Sequence, residues 1–521
     1  MARSTIVDTT EGPVRGRSSH GLIAWRGIPY AAPPVGKDRF RAPRPPSPRQ
    51  DVLDCTEFGS AAPQRKLYTI LRPGKYQPTS EDCLTVNVVA PDSNADRKRP
   101  VMVFIHGGAY ILGSSATGLY GGSSLVRRGD VVYVSLNYRL GAFGYLDFSR
   151  YSTPERPFDS NLGLRDQVAA LEWIERNIAA FGGDPDNITL FGESAGANAV
   201  TTLMTTPAAE GLFTRAIAES SAPGLVTSAE RAAGWAADFV DLLPMEVDDP
   251  VEALETATPG QLGRAANRLN AKVVSETPGL HPFGPVVDGD FLPRSPLDAF
   301  ADGSAHRVPL IIGNNSREGT LFTKFLGGLP TTPDRIHKMF TLTDPDAESR
   351  VTSAYPGYPS ESTAVDIGGD VTFWASSIAI TESHANHAPT YSYRFDFAPR
   401  ALNRLGLGAT HGFEMFAVFG YGRSALGRAI TLPGGRRGMR AVTDAVQQHW
   451  LSFARSGVPS RSWPAYDTGT RATMIFDEKS TVRNDPRHER RLAWSGYQGY
   501  WTTGHQNEQT HDKQGEHAGR E

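Results

Sequence analysis

Ile188-Thr-Leu-Phe191 followed by Gly192-Glu193-Ser194-Ala195-Gly196 is the stretch that decides the fold. Its first four residues are apolar or β-branched and read as a short buried strand. The stretch from Ala195 to Met204 reads as a helix. Between them, Gly192 and Gly196 bracket Ser194 in the pattern G-x-S-x-G. A strand, that pattern and a helix in sequence make a nucleophile elbow. The reason is steric: the turn holds the serine in a strained backbone conformation, and its flanks must be small for neighbouring chain to pass. The serine hydroxyl then stands at a helix N-terminus, where developing negative charge is favoured.

Outward from the elbow, short apolar runs recur. They are Val101-Met-Val-Phe-Ile105, Val131-Val-Tyr-Val-Ser-Leu136, Ala216-Ile-Ala218, Val308-Pro-Leu-Ile-Ile312 and residues 391–397. Several are continuously apolar, as strands covered on both faces must be. Between them lies helical pattern. From Leu164 the apolar positions Val168, Leu171, Ile174, Ile178 and Phe181 recur at steps of three and four, and Gly182-Gly183-Asp184-Pro185 is a stop signal. Alternating strands and helices give an α/β fold class, with a large, mostly parallel sheet and helices on both faces.

The 521 residues carry 53 basic and 56 acidic side chains, a net charge of -3. That excludes a basic surface field for nucleic acid and a highly charged disordered chain. No run of about 18 apolar residues exists to span a membrane. The opening MARSTIVDTTEG lacks the apolar core and cleavage site of a secretory leader, so a cytoplasmic location is expected. With no clear breakpoint, residues 1–501 are expected to form one domain. The polar residues 502–521 are expected to be a disordered tail. Cys55 and Cys83 read as two buried thiols, and their spacing alone leaves a disulfide open. No metal-ligand cluster, phosphate loop or dinucleotide fingerprint occurs, so neither metal nor cofactor is expected.

A serine nucleophile needs a base, the base needs an orienting acid, and acyl transfer needs backbone donors for an oxyanion. His106-Gly107-Gly108-Ala109 ends the Val101–Ile105 run, and such a turn frees backbone N–H groups; His106 is read as positioning the loop. In sheets of this kind the acid and then the histidine follow the serine along the chain. Glu318 is the first carboxylate beyond the 308–312 strand, and His411 follows the 391–397 strand. Rival histidines are poorly placed: His384 and His387 precede a strand, His449 sits in helical pattern, and His505, His511 and His517 lie in the tail. Asp288, the rival acid, falls in a turn before its strand.

Together these residues resemble the type B carboxylesterases, the cholinesterase-like branch of the α/β-hydrolase fold. The resemblance runs from about Val7 to Trp501. Beyond the elbow it includes Gly27-Ile-Pro-Tyr-Ala31, Glu81-Asp-Cys-Leu84, Asn137-Tyr-Arg139, Glu318-Gly319, His411-Gly-Phe-Glu414 and Trp463-Pro464. It implies an α/β-hydrolase fold with inserted helices covering the active site. It also implies a serine ester hydrolase that works through an acyl-enzyme on small to medium carboxylic esters. The family's nucleophile falls on Ser194, its acid on Glu318 and its base on His411. Its oxyanion donors fall on Gly108, Ala109 and Ala195, and positions beside the histidine fall on Glu193 and Ser220. Cys55 and Cys83 match a disulfide pair of secreted members; Arg39 with Glu81, and Arg139 with Asp166, match structural ion pairs. Residues 70–80 lack the Trp that serves cholinesterases as a choline platform, and Tyr76 is the only aromatic there. Phe283, Phe325 and Phe416 are candidates for an acyl pocket or for the core. The triad leaves amide and carbamate hydrolysis open, because leaving-group preference lives in pocket shape. Inactive cholinesterase-like binding modules usually lack a triad member, and all three positions are filled here. The expected partner is a small ester, with the chain a monomer or small homo-oligomer and no nucleic acid bound.

Overall fold

The computed structural model describes residues 3–72, 74–93, 97–323 and 327–500. The 502–521 tail and Phe325 lie outside them. Eleven strands form the central sheet: β1 (Arg17–Ser19), β2 (Leu22–Pro29), β3 (Thr85–Pro91), β4 (Arg99–Ile105), β5 (Val132–Leu136), β6 (Gly183–Glu193), β7 (Arg215–Glu219), β8 (Leu310–Asn315), β9 (Thr390–Phe395), β10 (Ala472–Phe476) and β11 (Thr481–Asn484). Their order across the sheet is β11-β10-β9-β8-β7-β6-β4-β5-β3-β2-β1. From β10 to β5 every pairing is parallel; both flanks are antiparallel.

The parallel strands are apolar on both sides because both sides are covered. Along β4, Val101, Val103 and Ile105 enter one core, while Met102 and Phe104 enter the other. Leu310 and Ile312 of β8 share the first core, and Ile311 the second. Helices α1 (Leu162–Asn177), α2 (Ala195–Leu203) and α3 (Pro259–Glu276) bury their apolar stripes in the first core, and α4 (Arg436–Ser456) covers the opposite face with Met439, Val442, Val446, Trp450 and Phe453.

The stop signal after α1 is used differently from the sequence reading. A 3-10 turn, Ile178–Phe181, leads to Gly182 at φ +78°, and Gly183-Asp184-Pro185 already belongs to β6. At the other end β6 reaches Glu193, so Ser194 leaves the strand directly.

Arg139 grips Asp166 through two contacts of 2.6 and 2.8 Å, and Arg39 holds Glu81 at the same two distances. Cys55 and Cys83 are free thiols rather than the possible disulfide. Both are packed in the first apolar core, where a thiol behaves as a small hydrophobe. Burial pushes the Cys55 thiol up to about 12 and raises that of Cys83, so neither is a thiolate at neutral pH.

Candidate active site

Ser194 sits at φ 60° and ψ -125°, between the end of β6 and the first residue of α2. This backbone region costs a non-glycine residue about 1–3 kcal/mol. Surrounding bonds hold it there: the Ser194 N–H donates to Glu219 O at 2.9 Å, and Asn198 N–H donates to Ser194 O at 2.8 Å. A β-carbon on Gly196 would lie 2.1 Å from Ile105 O, and one on Gly192 would lie 2.6 Å from the Gly196 carbonyl. Both glycines are needed for β4 to pass the turn.

Beyond β4, Gly108 takes φ +120° and Ala109 takes φ +52°. A β-carbon at Gly108 would meet Leu112 O at 2.1 Å, whereas Ala109 tolerates its left-handed conformation with a side chain in place. Gly108, Ala109 and Ala195 line one cavity with Ser194. His106 is buried and stacked on Tyr138 at 4.6 Å, and its backbone carbonyl accepts the Tyr138 hydroxyl at 2.6 Å. Burial lowers its imidazole to about 4, which suits a neutral loop anchor.

Glu318 follows β8 and His411 follows β9. A bridge between Arg317 and Thr410 holds their loops side by side. Glu318 Oε2 lies 2.6 Å from His411 Nδ1. Its other oxygen accepts the Asn315 N–H at 2.6 Å and the Ser220 hydroxyl at 2.7 Å. Ser220 Oγ is also 3.0 Å from Glu414 Oε1, while Asn315 Nδ2 donates to Glu414 Oε2. On the far side of the ring, Glu193 Oε1 is 3.2 Å from His411 Nε2. That nitrogen makes no hydrogen bond among the described residues.

The electrostatics follow from burying several carboxylates around one imidazole. Burial pushes Glu193 up to about 7, with His411 pulling it down and Glu318 adding repulsion. Burial likewise raises Glu414 to about 8, reinforced by Glu318 and Glu193. For His411 burial acts downward, but Glu193 and Glu318 outweigh it and raise the imidazole to about 9. The groups titrate as one system.

A cavity of about 540 Å³ opens over Ser194 and His411. Phe373 stacks on the His411 ring at 4.4 Å and Phe322 lies 5.1 Å from it, which keeps water from that face. Neither was singled out in the sequence, since a lone aromatic in an apolar stretch gives no signal. Glu414 had a weak one, three residues after the histidine. Phe283 lines the cavity, whereas Phe416 packs with Phe413 and Tyr421 outside it. Asp288 is occupied elsewhere, accepting from Asn161 Nδ2 at 2.8 Å and Leu292 N–H at 2.9 Å. His384 is bound to Val308 O at 2.9 Å, and His449 packs against Trp463.

The sequence pattern of the carboxylesterase family matches residues 3–494. The chain belongs to the carboxylesterase family. It is a serine carboxylic-ester hydrolase with the α/β-hydrolase fold. It is 40% identical to a para-nitrobenzyl esterase of Bacillus subtilis over 504 residues, covering 93% of this chain and 97% of that one. It is 32% identical to a liver carboxylesterase of Sus scrofa over 528 residues, covering 89% and 88% respectively. Among solved structures, a thermophilic PNB esterase superposes with a TM-score of 0.85 at 38% identity, over 94% of this chain and 99% of the other. No helix among the described residues is long and apolar enough to cross a membrane.

Proposed function

We propose that Ser194 is the nucleophile of this esterase, His411 its general base and Glu318 the group that orients the base. The observation that supports this most is the 2.6 Å contact between His411 Nδ1 and Glu318 Oε2, in the cavity that Ser194 lines. Neutral His411 takes the Ser194 proton at Nε2 as Oγ attacks the ester carbonyl. Hydrogen bonds of this kind are often long without substrate and tighten in the complex. The tetrahedral oxyanion is received by the N–H groups of Gly108, Ala109 and Ala195; each such donor is worth about 3–4 kcal/mol in the transition state. The alkoxide leaves with the proton from His411. Water then attacks the acyl-enzyme, with His411 again as base and then as acid.

Glu193 and Ser220 act in this reading on the histidine and the acid. Glu193 stabilises the imidazolium, and Ser220 fixes the Glu318 carboxylate by its 2.7 Å hydrogen bond. We read residues 1–501 as one catalytic domain, acting as a monomer or small homo-oligomer. Two unbonded buried thiols are in keeping with the reducing cytoplasm. Parallel kinetics on matched ester, amide and carbamate substrates test the bond specificity. The ester is expected to be hydrolysed fastest relative to its uncatalysed rate, and equal or greater acceleration of the amide overturns that preference.

A further inference from the structure

We propose that the face built from residues 400–440 docks on an anionic lipid surface, its arginines meeting the headgroups and its leucines entering among the acyl chains. The stretch from Arg400 to Arg440 holds seven arginines and no lysine, and its one acid, Glu414, is buried beside the triad. The whole chain has a net charge of -3, so this excess of positive charge is local.

The fold gathers the two ends of the stretch. The short helix Arg400–Arg404 follows the C-terminal end of β9, as His411 does. Its Arg400 N–H donates to Gly434 O at 3.3 Å, and a β-carbon on Gly434 would lie 2.7 Å from Arg400 Cδ. A β-carbon on Gly435 would meet Pro399 at 3.1 Å. Arg404 lies one turn along from Arg400, while Arg436 and Arg437 open α4 and Arg440 lies one turn on. These five arginines are exposed, and none forms an ion pair among the described residues. Two neighbouring acids are engaged elsewhere, Asp444 by Arg128 and Asp396 by Arg394, while Glu478 lies beside Gly438.

Apolar side chains stand among these charges. Leu432 is 82% exposed, Leu405 58% and Leu426 53%. Leu432 and Pro433 form the tip of a turn closed by Gly434 N–H donating to Thr431 O at 3.0 Å. Leu405 caps the Arg400–Arg404 helix, and Leu426 lies on the helix Ala425–Ile430 that runs into the turn. A single exposed leucine is ordinary. Three of them beside five unpaired arginines make an amphipathic surface whose charge complements anionic lipid. A nucleic acid would meet the arginines equally well but would give the leucines nothing to enter.

The test sediments the full chain with vesicles of phosphatidylcholine alone, or of phosphatidylcholine and phosphatidylglycerol in equal parts. Binding is expected only to the mixed vesicles, and it should weaken with added salt. Arg400→Gln, Arg436→Gln and Arg437→Gln combined should weaken it about a hundredfold, since each arginine near such a surface is worth about fivefold. The same change at Arg15, Arg461 and Arg483, exposed arginines outside the stretch, should weaken it far less. Leu432→Ser should weaken vesicle binding severalfold and leave retention on heparin unchanged. Each variant should keep the wild-type Tm and turnover of p-nitrophenyl acetate, which report on the fold and on the Ser194 reading separately. Should the triple variant lose Tm, the single changes, each expected to cost about fivefold, take its place. No binding to the mixed vesicles, equal binding to neutral ones, equal losses in the two arginine sets, or no loss from Leu432→Ser overturns the proposal.

Discussion

The Thr320 hydroxyl oxygen lies 2.8 Å from that of Thr410 and 2.7 Å from Leu407 O, tying the loop that carries Glu318 to the loop that carries His411. Thr320→Val keeps the shape and removes the tie. It leaves buried polar partners unsatisfied, at about 1–3 kcal/mol. The expected result is a lower Tm and a fall in kcat of about tenfold or more, since small misplacements of a catalytic group are costly. Thermal unfolding and steady-state kinetics on one activated ester check both.

The pH profile follows from His411. The proposed base must be neutral to act, and Glu193 and Glu318 hold the imidazole protonated up to about 9. The profile of kcat/KM should therefore rise with pH through a coupled ionisation above the ordinary histidine range. Glu193→Gln removes one negative neighbour, lowers the His411 value and moves the rising limb to lower pH. A limb that stays in place, or moves upward, would show that Glu193 does not act on the base.

Glu414 makes a prediction about stability. Its carboxyl stays protonated up to about 8 in the folded protein, against an ordinary glutamate value of 4.5. The unfolded chain therefore releases this proton at lower pH than the folded one. The group's contribution to stability is full below the unfolded value and is lost as pH rises towards the folded one. Glu414→Gln supplies a neutral isostere without that loss. Its stability relative to wild type should increase between those two pH values, as measured by urea unfolding at a series of pH values.

At the elbow, Gly196→Ala sets a β-carbon 2.1 Å from Ile105 O, which belongs to a central strand. The strand cannot yield cheaply, so a loss of about 1–3 kcal/mol or more is expected. Denaturant unfolding of the purified variant checks it.

Much of this site was legible because parallel strands impose an order on the chain. Ser194, Glu318 and His411 each follow the C-terminal end of a strand, and those ends were readable as apolar runs. The helix after Ser194 and the glycines around it were readable for steric reasons. The antiparallel strands β1–β3 at one flank were not, and neither were β10 and β11 at the other, because these short segments carry no motif to single them out. Phe373 and Phe322 reach His411 from segments distant in sequence, and no local pattern marks them. Phe416 shows the opposite limit, because composition does not reveal which way an aromatic near the histidine turns. The carboxylate cluster around His411 was only half visible: Glu414 and Asn315 join it through tertiary packing of two loops.

The central claim is that the Ser194 hydroxyl is the attacking group, and covalent trapping tests it most directly. Diethyl p-nitrophenyl phosphate should release one p-nitrophenolate per chain as activity is lost. Mass spectrometry of the digested protein should then find the diethylphosphoryl group on Ser194. Ser194→Ala should show no burst and lose at least a thousandfold in kcat on an activated ester. An adduct on another residue, or near wild-type turnover by Ser194→Ala, would contradict the account.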